Sequence, residues 1–265
     1  MNRSAYWENL TTTDFASPAV AAWIAVLPIA AIEQHGPHLP LSTDTAIARG
    51  LIRRTVELLP PDIPAVFLPV QSVGKSDEHI DFPGTLSLSW ETATRSWIEI
   101  GTSVFRAGIK KLVIVTSHGG NVSVMDIVAR ELRVRHAMLA VTTSWARMGV
   151  PENLLGSREK SYGIHGGEEE TSVMLALHPD LVRMDHARDF KSAQTLFETE
   201  YKRLRGHGPV QFGWKTGDLN AEGAMGNATA ATAEKGHAII DHQARGFLDV
   251  LRDIQCFDLS RLSDR

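Results

Sequence analysis

The sequence has one cysteine, no strong excess of charge and no long uninterrupted apolar segment. With Cys256 alone, an intramolecular disulfide and a four-thiolate zinc site are excluded, so we expect a reducing compartment, the cytoplasm. The net charge of −4 comes without a basic stripe. We therefore expect no nucleic-acid or membrane partner, and a small molecule instead. The apolar run over residues 19–32 is interrupted by Pro28 and is too short to span a bilayer, and we interpret it as part of the fold.

Apolar, strand-like runs alternate with helical patterns along the 265 residues. Strands are predicted at residues 23–32, 65–70, 111–116 and 138–145. Helices are predicted at residues 45–58, 89–107, 122–137, 168–177 and 229–254. This alternation is typical of βαβ units, and no Pro/Ser/Gly-rich linker divides the chain. We predict an α/β fold with three αβα layers and a mostly parallel central sheet, formed by residues 1–265 as a single domain.

Four potential metal ligands follow the first predicted strand: Glu33, His35, His38 and Asp44. The period of two along a strand places Glu33 and His35 on the same side where that strand ends. Asp44 comes just before a helical pattern, where the partial positive charge of a helix N-terminus favours a carboxylate. This segment therefore predicts half of a metal site.

Two further motifs carry potential ligands. His118, in the segment 117–121, follows the third predicted strand. The carboxyl ends of parallel strands lie at one edge of a sheet, so we expect His118 to lie close to Glu33 and His35. The segment 165–170, His-Gly-Gly-Glu-Glu-Glu, opens the next predicted helix.

Together these motifs predict a ligand set of three carboxylates and two imidazoles: Glu33, His35, Asp44, His118 and Glu168. Such a set suits Zn²⁺, Mn²⁺ or Fe²⁺. Five ligands are too many for one tetrahedral site with an open position, whereas two ions roughly 3.5 Å apart, bridged by Asp44, would use them all. A bridging hydroxide would make the charges of the ions and carboxylates balance, and it would be a nucleophile at neutral pH.

The ordered motifs resemble the signature of the creatininase (creatinine amidohydrolase) family. Four segments carry the resemblance: residues 33–41 with Asp44, residues 81–87, residues 117–121 and residues 165–172. It implies a metal-dependent hydrolase of C–N bonds in small amides, with two divalent ions per subunit and a ring-like homo-oligomer, a hexamer. It also implies that Glu33, Asp44 and His118 hold one ion, while His35, Asp44 and a further Glu hold the other.

At one point the chain departs from creatininase proper, where a Tyr and a ligating Glu follow the His that matches His118. Here Gly119 and Gly120 stand in those places. The further carboxylate must therefore come from elsewhere in the chain, and we predict that it is Glu168. Because the Tyr and Glu of the family pattern lie beside the substrate, their absence weakens the case for creatinine itself.

We predict that the hydroxide attacks an amide carbonyl that one ion polarises, while His165 shuttles the proton to the leaving nitrogen. Glu170 could orient His165 or belong to the residues that support the ligands, and His38 could hold a ligand carboxylate in place. The loop residue His79 could also face the pocket. A small cyclic amide is the leading substrate; a formamide deformylase and a peptidase are the alternatives within the family. A metal-binding protein without turnover is the alternative from another class.

Overall fold

A four-stranded parallel sheet lies at the centre of the computed structural model, which describes residues 3–263. Its strands are β1 (Ile24–Ile29), β2 (Ala65–Phe67), β3 (Lys111–Thr116) and β4 (Leu139–Ser144), in the order β2-β1-β3-β4. All four predicted strands are confirmed. β2 ends before residue 70, since Pro69 has no N–H to donate to its neighbour; a single bridge between Ile29 and Gln71 resumes the pairing beyond it.

The five predicted helices are also confirmed, with ends that differ by no more than a few residues. They are α1 (Thr43–Leu58), α2 (Trp90–Arg106), α3 (Val122–His136), α5 (Glu168–Leu177) and α8 (Ala233–Cys256). Sequence patterns did not predict the short helices α4 (Ser157–Tyr162), α6 (Gln194–Glu200) and α7 (Thr216–Leu219). They also missed a small antiparallel sheet of β5 (Asp189–Phe190) and β6 (Gly226–Asn227). Elements this short carry too little hydrophobic periodicity to be recognised.

The sheet is covered by helices on both faces, which gives the predicted three αβα layers. Along β1, Ile24 and Val26 pack into a core that includes residues of α1, α5 and α8. Ala25 and Leu27 point the opposite way, into a second core formed with α2 and α3. Every residue of β1 is buried, as expected for a central strand of a parallel sheet.

The strand order reverses between β1 and β3. The chain leaves β1 for β2 on one side, crosses over, and returns as β3 on the other side. At the carboxyl end of this pair, Asn121 links several segments by hydrogen bonds. Its amide nitrogen donates to the carbonyl oxygen of Ala30 (3.1 Å) and to the hydroxyl of Thr116 (3.2 Å). Its amide oxygen accepts from the N–H of Lys75 (2.9 Å). In open parallel sheets such a reversal point is where ligands bind.

Between residues 3 and 263, no helix is both long enough and apolar enough to pass through a lipid bilayer.

Helices α5 and α8 approach each other closely at Gly236. A Cβ atom added there would lie 1.9 Å from the carbonyl oxygen of Ser172 and 2.8 Å from the Cβ of Ala176. The variant Gly236→Ala must push the helices apart, so we expect it to lower the free energy of unfolding by about 1–3 kcal/mol. Denaturant titration measures this loss.

Gly217, in α7, is the matched control, because a Cβ there meets no atom within 4 Å. We expect Gly217→Ala to leave the stability unchanged or to raise it slightly, since alanine favours a helix. Equal stability of the two variants would contradict close packing at Gly236.

Candidate metal centre

Glu33 lies at the middle of a buried cluster of polar side chains beyond the end of β1. It is fully buried, and its Oε2 atom accepts a hydrogen bond from the hydroxyl of Ser76 at 2.5 Å. Its other oxygen, Oε1, faces four imidazole nitrogens: Nδ1 of His118 at 3.1 Å, Nε2 of His79 at 3.3 Å, Nδ1 of His165 at 3.7 Å and Nε2 of His35 at 3.9 Å. One carboxylate oxygen is thus held by a hydroxyl while the other remains directed at the ring nitrogens.

Backbone carbonyls orient three of the imidazoles in the cluster. The donor nitrogens and their acceptors are His35 Nδ1 with the Glu33 carbonyl (3.1 Å), His118 Nε2 with the Lys75 carbonyl (3.0 Å) and His165 Nε2 with the Gln34 carbonyl (2.7 Å). A carbonyl oxygen can only accept, so the bonded nitrogen carries the proton. In the neutral ring the second nitrogen then presents a lone pair, and in all three residues this nitrogen faces carboxylate oxygens.

Asp44 lies between two groups of side chains. It is buried in the first turn of α1, with Oδ1 3.8 Å from Nε2 of His35 and Oδ2 3.7 Å from Nδ1 of His118. A third carboxylate, Glu170 in the first turn of α5, places Oε2 3.8 Å from the same nitrogen of His35. Asp44 therefore lies between His118, which has Glu33 beside it, and His35, which has Glu170 beside it and Glu33 at 3.9 Å.

Several atoms of the cluster lack a hydrogen-bond partner. Among residues 3–263, Oε1 of Glu33, Nε2 of His35 and Oδ2 of Asp44 are all buried without one, because the nearby nitrogens do not approach them with hydrogen-bond geometry. Lone pairs that face each other in a buried space are unfavourable unless a cation lies between them. The oxygen and imidazole donors fit Zn²⁺, Mn²⁺ or Fe²⁺.

Three overlapping groups have ligand atoms within 4.8 Å of one another, and all three include residues named above: Glu33, His35 and Asp44; His35, His165 and Glu170; and Glu33, His79 and His165.

The charges of the cluster are strongly perturbed by burial and by each other. Burial lowers the pKa of both His35 and His165 to about 4, which leaves these rings neutral at neutral pH. Burial and the neighbouring Glu33 raise the pKa of Asp44 well above its ordinary value. Burial alone would lower the pKa of His118, but the carboxylates of Glu33 and Asp44 raise it well above its ordinary value. The cluster thus attracts positive charge, which a divalent ion provides without a proton.

The predicted ligand Glu168 lies outside the cluster, and Glu170 lies where a second carboxylate beside His35 was expected. The Glu168 carboxylate forms an ion pair with Lys235 of α8. A step of two residues along a helix changes the side-chain direction by about 200°, so Glu168 and Glu170 point in nearly opposite directions. The sequence shows that this helix starts with acidic residues, but it does not show which of its faces is turned to the sheet edge.

The predicted supporting contacts also differ. His165 is oriented by the Gln34 carbonyl rather than by Glu170, whose Oε2 accepts from the N–H of Gly166 (2.6 Å). The ring of His38 pairs with the Thr171 hydroxyl at 3.0 Å and stacks on Phe190. His38 thus supports α5 and does not hold a ligand carboxylate.

Two site residues lie in the loop after β2. His79 is 2 % exposed and faces Glu33, as considered from the sequence. Glu78 was not predicted, yet its Oε1 lies 3.2 Å from Nε2 of His118. This loop follows a parallel strand, so the sheet-edge rule applied to Glu33 and His118 could have found both residues. The side chain of Gln34 completes this region, with its nitrogen 2.6 Å from Nδ1 of His79.

Comparison with known proteins identifies the family. The sequence model of creatininase, described as creatinine amidohydrolase, matches residues 8–251. The chain belongs to the creatininase family. It is 32% identical to the mycofactocin precursor peptide peptidase of Mycolicibacterium smegmatis over 231 residues, which are 86% of this chain and 84% of that protein. It is 28% identical to the creatinine amidohydrolase of Pseudomonas putida over 274 residues, 96% of this chain and 98% of the relative.

A solved structure named "Creatininase Mn" has the same fold, with a TM-score of 0.75, 28% identity, and coverage of 95% of this chain and 98% of that one. Family membership confirms both the predicted three-layer fold and the predicted enzyme class, a hydrolase that acts on C–N bonds. The organisation as one domain and the cytoplasmic location stay predictions.

The choice between Glu168 and Glu170 can be tested by counting bound ions. In Glu170→Gln, His35 loses the carboxylate that faces its Nε2 at 3.8 Å and keeps only Asp44 and Glu33, which it shares with His118. We therefore expect the protein to retain one ion per chain instead of two after loading and dialysis. Elemental analysis of the purified protein measures this number.

Glu168→Gln is the matched control, because it makes the same chemical change two residues away. We expect it to retain both ions and to lower the free energy of unfolding by about 1 kcal/mol through loss of the charged contact with Lys235. Loss of an ion from Glu168→Gln alone would reverse the assignment.

Proposed function

We propose that the chain is a metal-dependent amidohydrolase that binds two divalent ions per subunit and hydrolyses a C–N bond of a small amide. The position of Asp44 carries this proposal. Its two oxygens face different imidazoles, His118 and His35. Glu33 lies beside both of these imidazoles, and Glu170 lies beside His35. A single ion would leave half of these donors unused.

The donor set defines which ions suit the site. Zn²⁺ and Mn²⁺ both accept mixed carboxylate and imidazole ligands, and Fe²⁺ does so too. When bound, such ions lower the pKa of water and polarise an amide carbonyl. Glu33, Asp44 and Glu170 supply negative charge that balances most of the positive charge of two ions. Glu33 and Asp44 are buried, and Glu170 is 24% exposed.

His165 is the group proposed to move the proton. The Gln34 carbonyl holds its Nε2–H, so Nδ1 is free to accept a proton at the edge of the cluster and to donate it to the leaving nitrogen. Its ring lies 4.1 Å from that of His35 and 4.2 Å from that of His79. This packing prevents the ring from turning away from the site.

Replacement of His165 separates a proton-transfer role from a ligand role. We expect His165→Ala to lower kcat about 10²–10⁴-fold while the number of bound ions stays the same. The exposed His186 offers a control, and His186→Ala should change neither value. Loss of an ion from His165→Ala would make His165 a ligand instead.

A small cyclic amide is the leading substrate class, and a short peptide is the second candidate. One observation favours the peptide: the chain is 32% identical to a peptide peptidase but 28% identical to a creatinine amidohydrolase. Gly119 and Gly120 also favour the peptide over creatinine, because the side chains that follow the matching His in the creatininase pattern are missing here.

A substrate panel tests the function directly. Metal-loaded protein is incubated with creatinine, cyclic ureides, N-formyl compounds and short peptides, and the products are identified by mass spectrometry. Ring opening supports the leading proposal, a new peptide terminus supports the peptidase, and formate release supports a deformylase. Asp44→Asn serves as the inactive control. Uptake of metal with no hydrolysis of any compound would favour the metal-binding protein without turnover.

A further inference from the structure

Glu78 makes a close contact with the outer side of the His118 ring. Its side chain is 13% exposed, and its Oε1 lies 3.2 Å from Nε2, the nitrogen that points away from the cluster. Its second oxygen lies 3.4 Å from the Lys75 ammonium.

Gly120 provides the space for this contact. A Cβ atom at residue 120 would lie 2.0 Å from Oε1 of Glu78 and 2.4 Å from Nε2 of His118. The Lys75 carbonyl oxygen would be 2.8 Å away. At the neighbouring Gly119, an added Cβ meets nothing within 4 Å. Only one of the two glycines is therefore required by its surroundings, and what requires it is the contact of the His118 ring with Glu78 and the Lys75 carbonyl.

The loop that carries Glu78 also contacts Glu33, the carboxylate closest to His118. Lys75 provides the carbonyl that accepts from the His118 ring, Ser76 donates to Oε2 of Glu33, and His79 faces Oε1 of Glu33. We call residues 75–79 the support loop. It surrounds one side of the cluster, that of Glu33 and His118, and leaves the side of His35 and Glu170 to other segments.

We propose that Glu78 is a positioning residue for His118: its carboxylate lies beside the Nε2–H that donates to the Lys75 carbonyl and favours the proton on that nitrogen, so that Nδ1 is aimed at the cation shared with Glu33 and Asp44. The inference rests on the proposed function, because the direction of Nδ1 matters only when an ion binds there. A carboxylate on the far nitrogen fixes the ring and makes the near nitrogen a stronger ligand. Glu78 therefore acts through His118 and does not touch the substrate.

Zn²⁺ affinity, measured by competition with a chelating dye, tests this role without any substrate. Loss of such an outer partner weakens metal binding by about 10- to 100-fold. We expect about 10-fold for Glu78→Gln, which keeps an acceptor oxygen, and about 100-fold for Glu78→Ala, which does not. Only one of the two ions should be affected, the one beside His118.

Asp77→Asn is the matched control, since it removes the same charge from the adjacent residue. Asp77 is 49% exposed and pairs with Lys75, and His118 is not among its contacts within residues 3–263. Such an exposed charge should change the affinity by less than about threefold. An equal loss of affinity in Asp77→Asn and Glu78→Gln would overturn the positioning role in favour of general electrostatic attraction.

A second pair of variants covers the case in which the Glu78 variants fail to fold. Gly120→Ala must displace Glu78 or the His118 ring, so it should weaken the same Zn²⁺ site, while Gly119→Ala should not. A lower melting temperature of the metal-free Glu78 variants with unchanged Zn²⁺ affinity would mean a merely structural role and would overturn the inference. Wild-type protein that binds two ions but hydrolyses nothing would contradict the proposed function alone.

Discussion

The site depends on one constraint, the fixed protonation pattern of its imidazoles. His35, His118 and His165 each donate a ring N–H to a backbone carbonyl and turn the other nitrogen toward buried carboxylates. Because the partners are main-chain atoms, the rings can rotate only if the backbone moves. The position of the backbone beyond β1 and in the support loop therefore determines where the lone pairs point, and the fold controls the chemistry through these hydrogen bonds.

Two of the carboxylates, those of Asp44 and Glu170, are placed in the cluster by helices. Asp44 and Glu170 both lie in the first turn of a helix, α1 and α5, where the unpaired N–H groups of the helix create a positive potential. Glu33, His35, His79 and His118 come from segments that follow strands, whereas these two acids come from helix starts and His165 lies just before α5. The sheet edge thus collects donors from strand ends and from helix starts.

Much of this arrangement could be predicted from the sequence, for reasons that are specific to each residue. Glu33, His35 and His118 follow strands with clear apolar patterns, and the edge rule for parallel sheets brings them together. Glu170 could not be distinguished from Glu168, because the helical pattern of α5 is apolar on more than one side and does not reveal its rotation. Glu78 was missed because it lies in a single 3₁₀ turn, Asp77–His79, which is too short for a periodic pattern to indicate where its side chain points.

Asn121 makes the cluster preorganised, which the ligands alone would not do. Its side-chain amide forms hydrogen bonds with the segment after β1, with the end of β3 and with the start of the support loop. The three segments that carry the imidazoles of His35, His118 and His79 are therefore linked before any ion binds. A preorganised site of this kind loses little conformational entropy on binding. Ions should therefore exchange in a folded protein, and the choice among Zn²⁺, Mn²⁺ and Fe²⁺ should follow the supply in the cell more than any rearrangement of the chain.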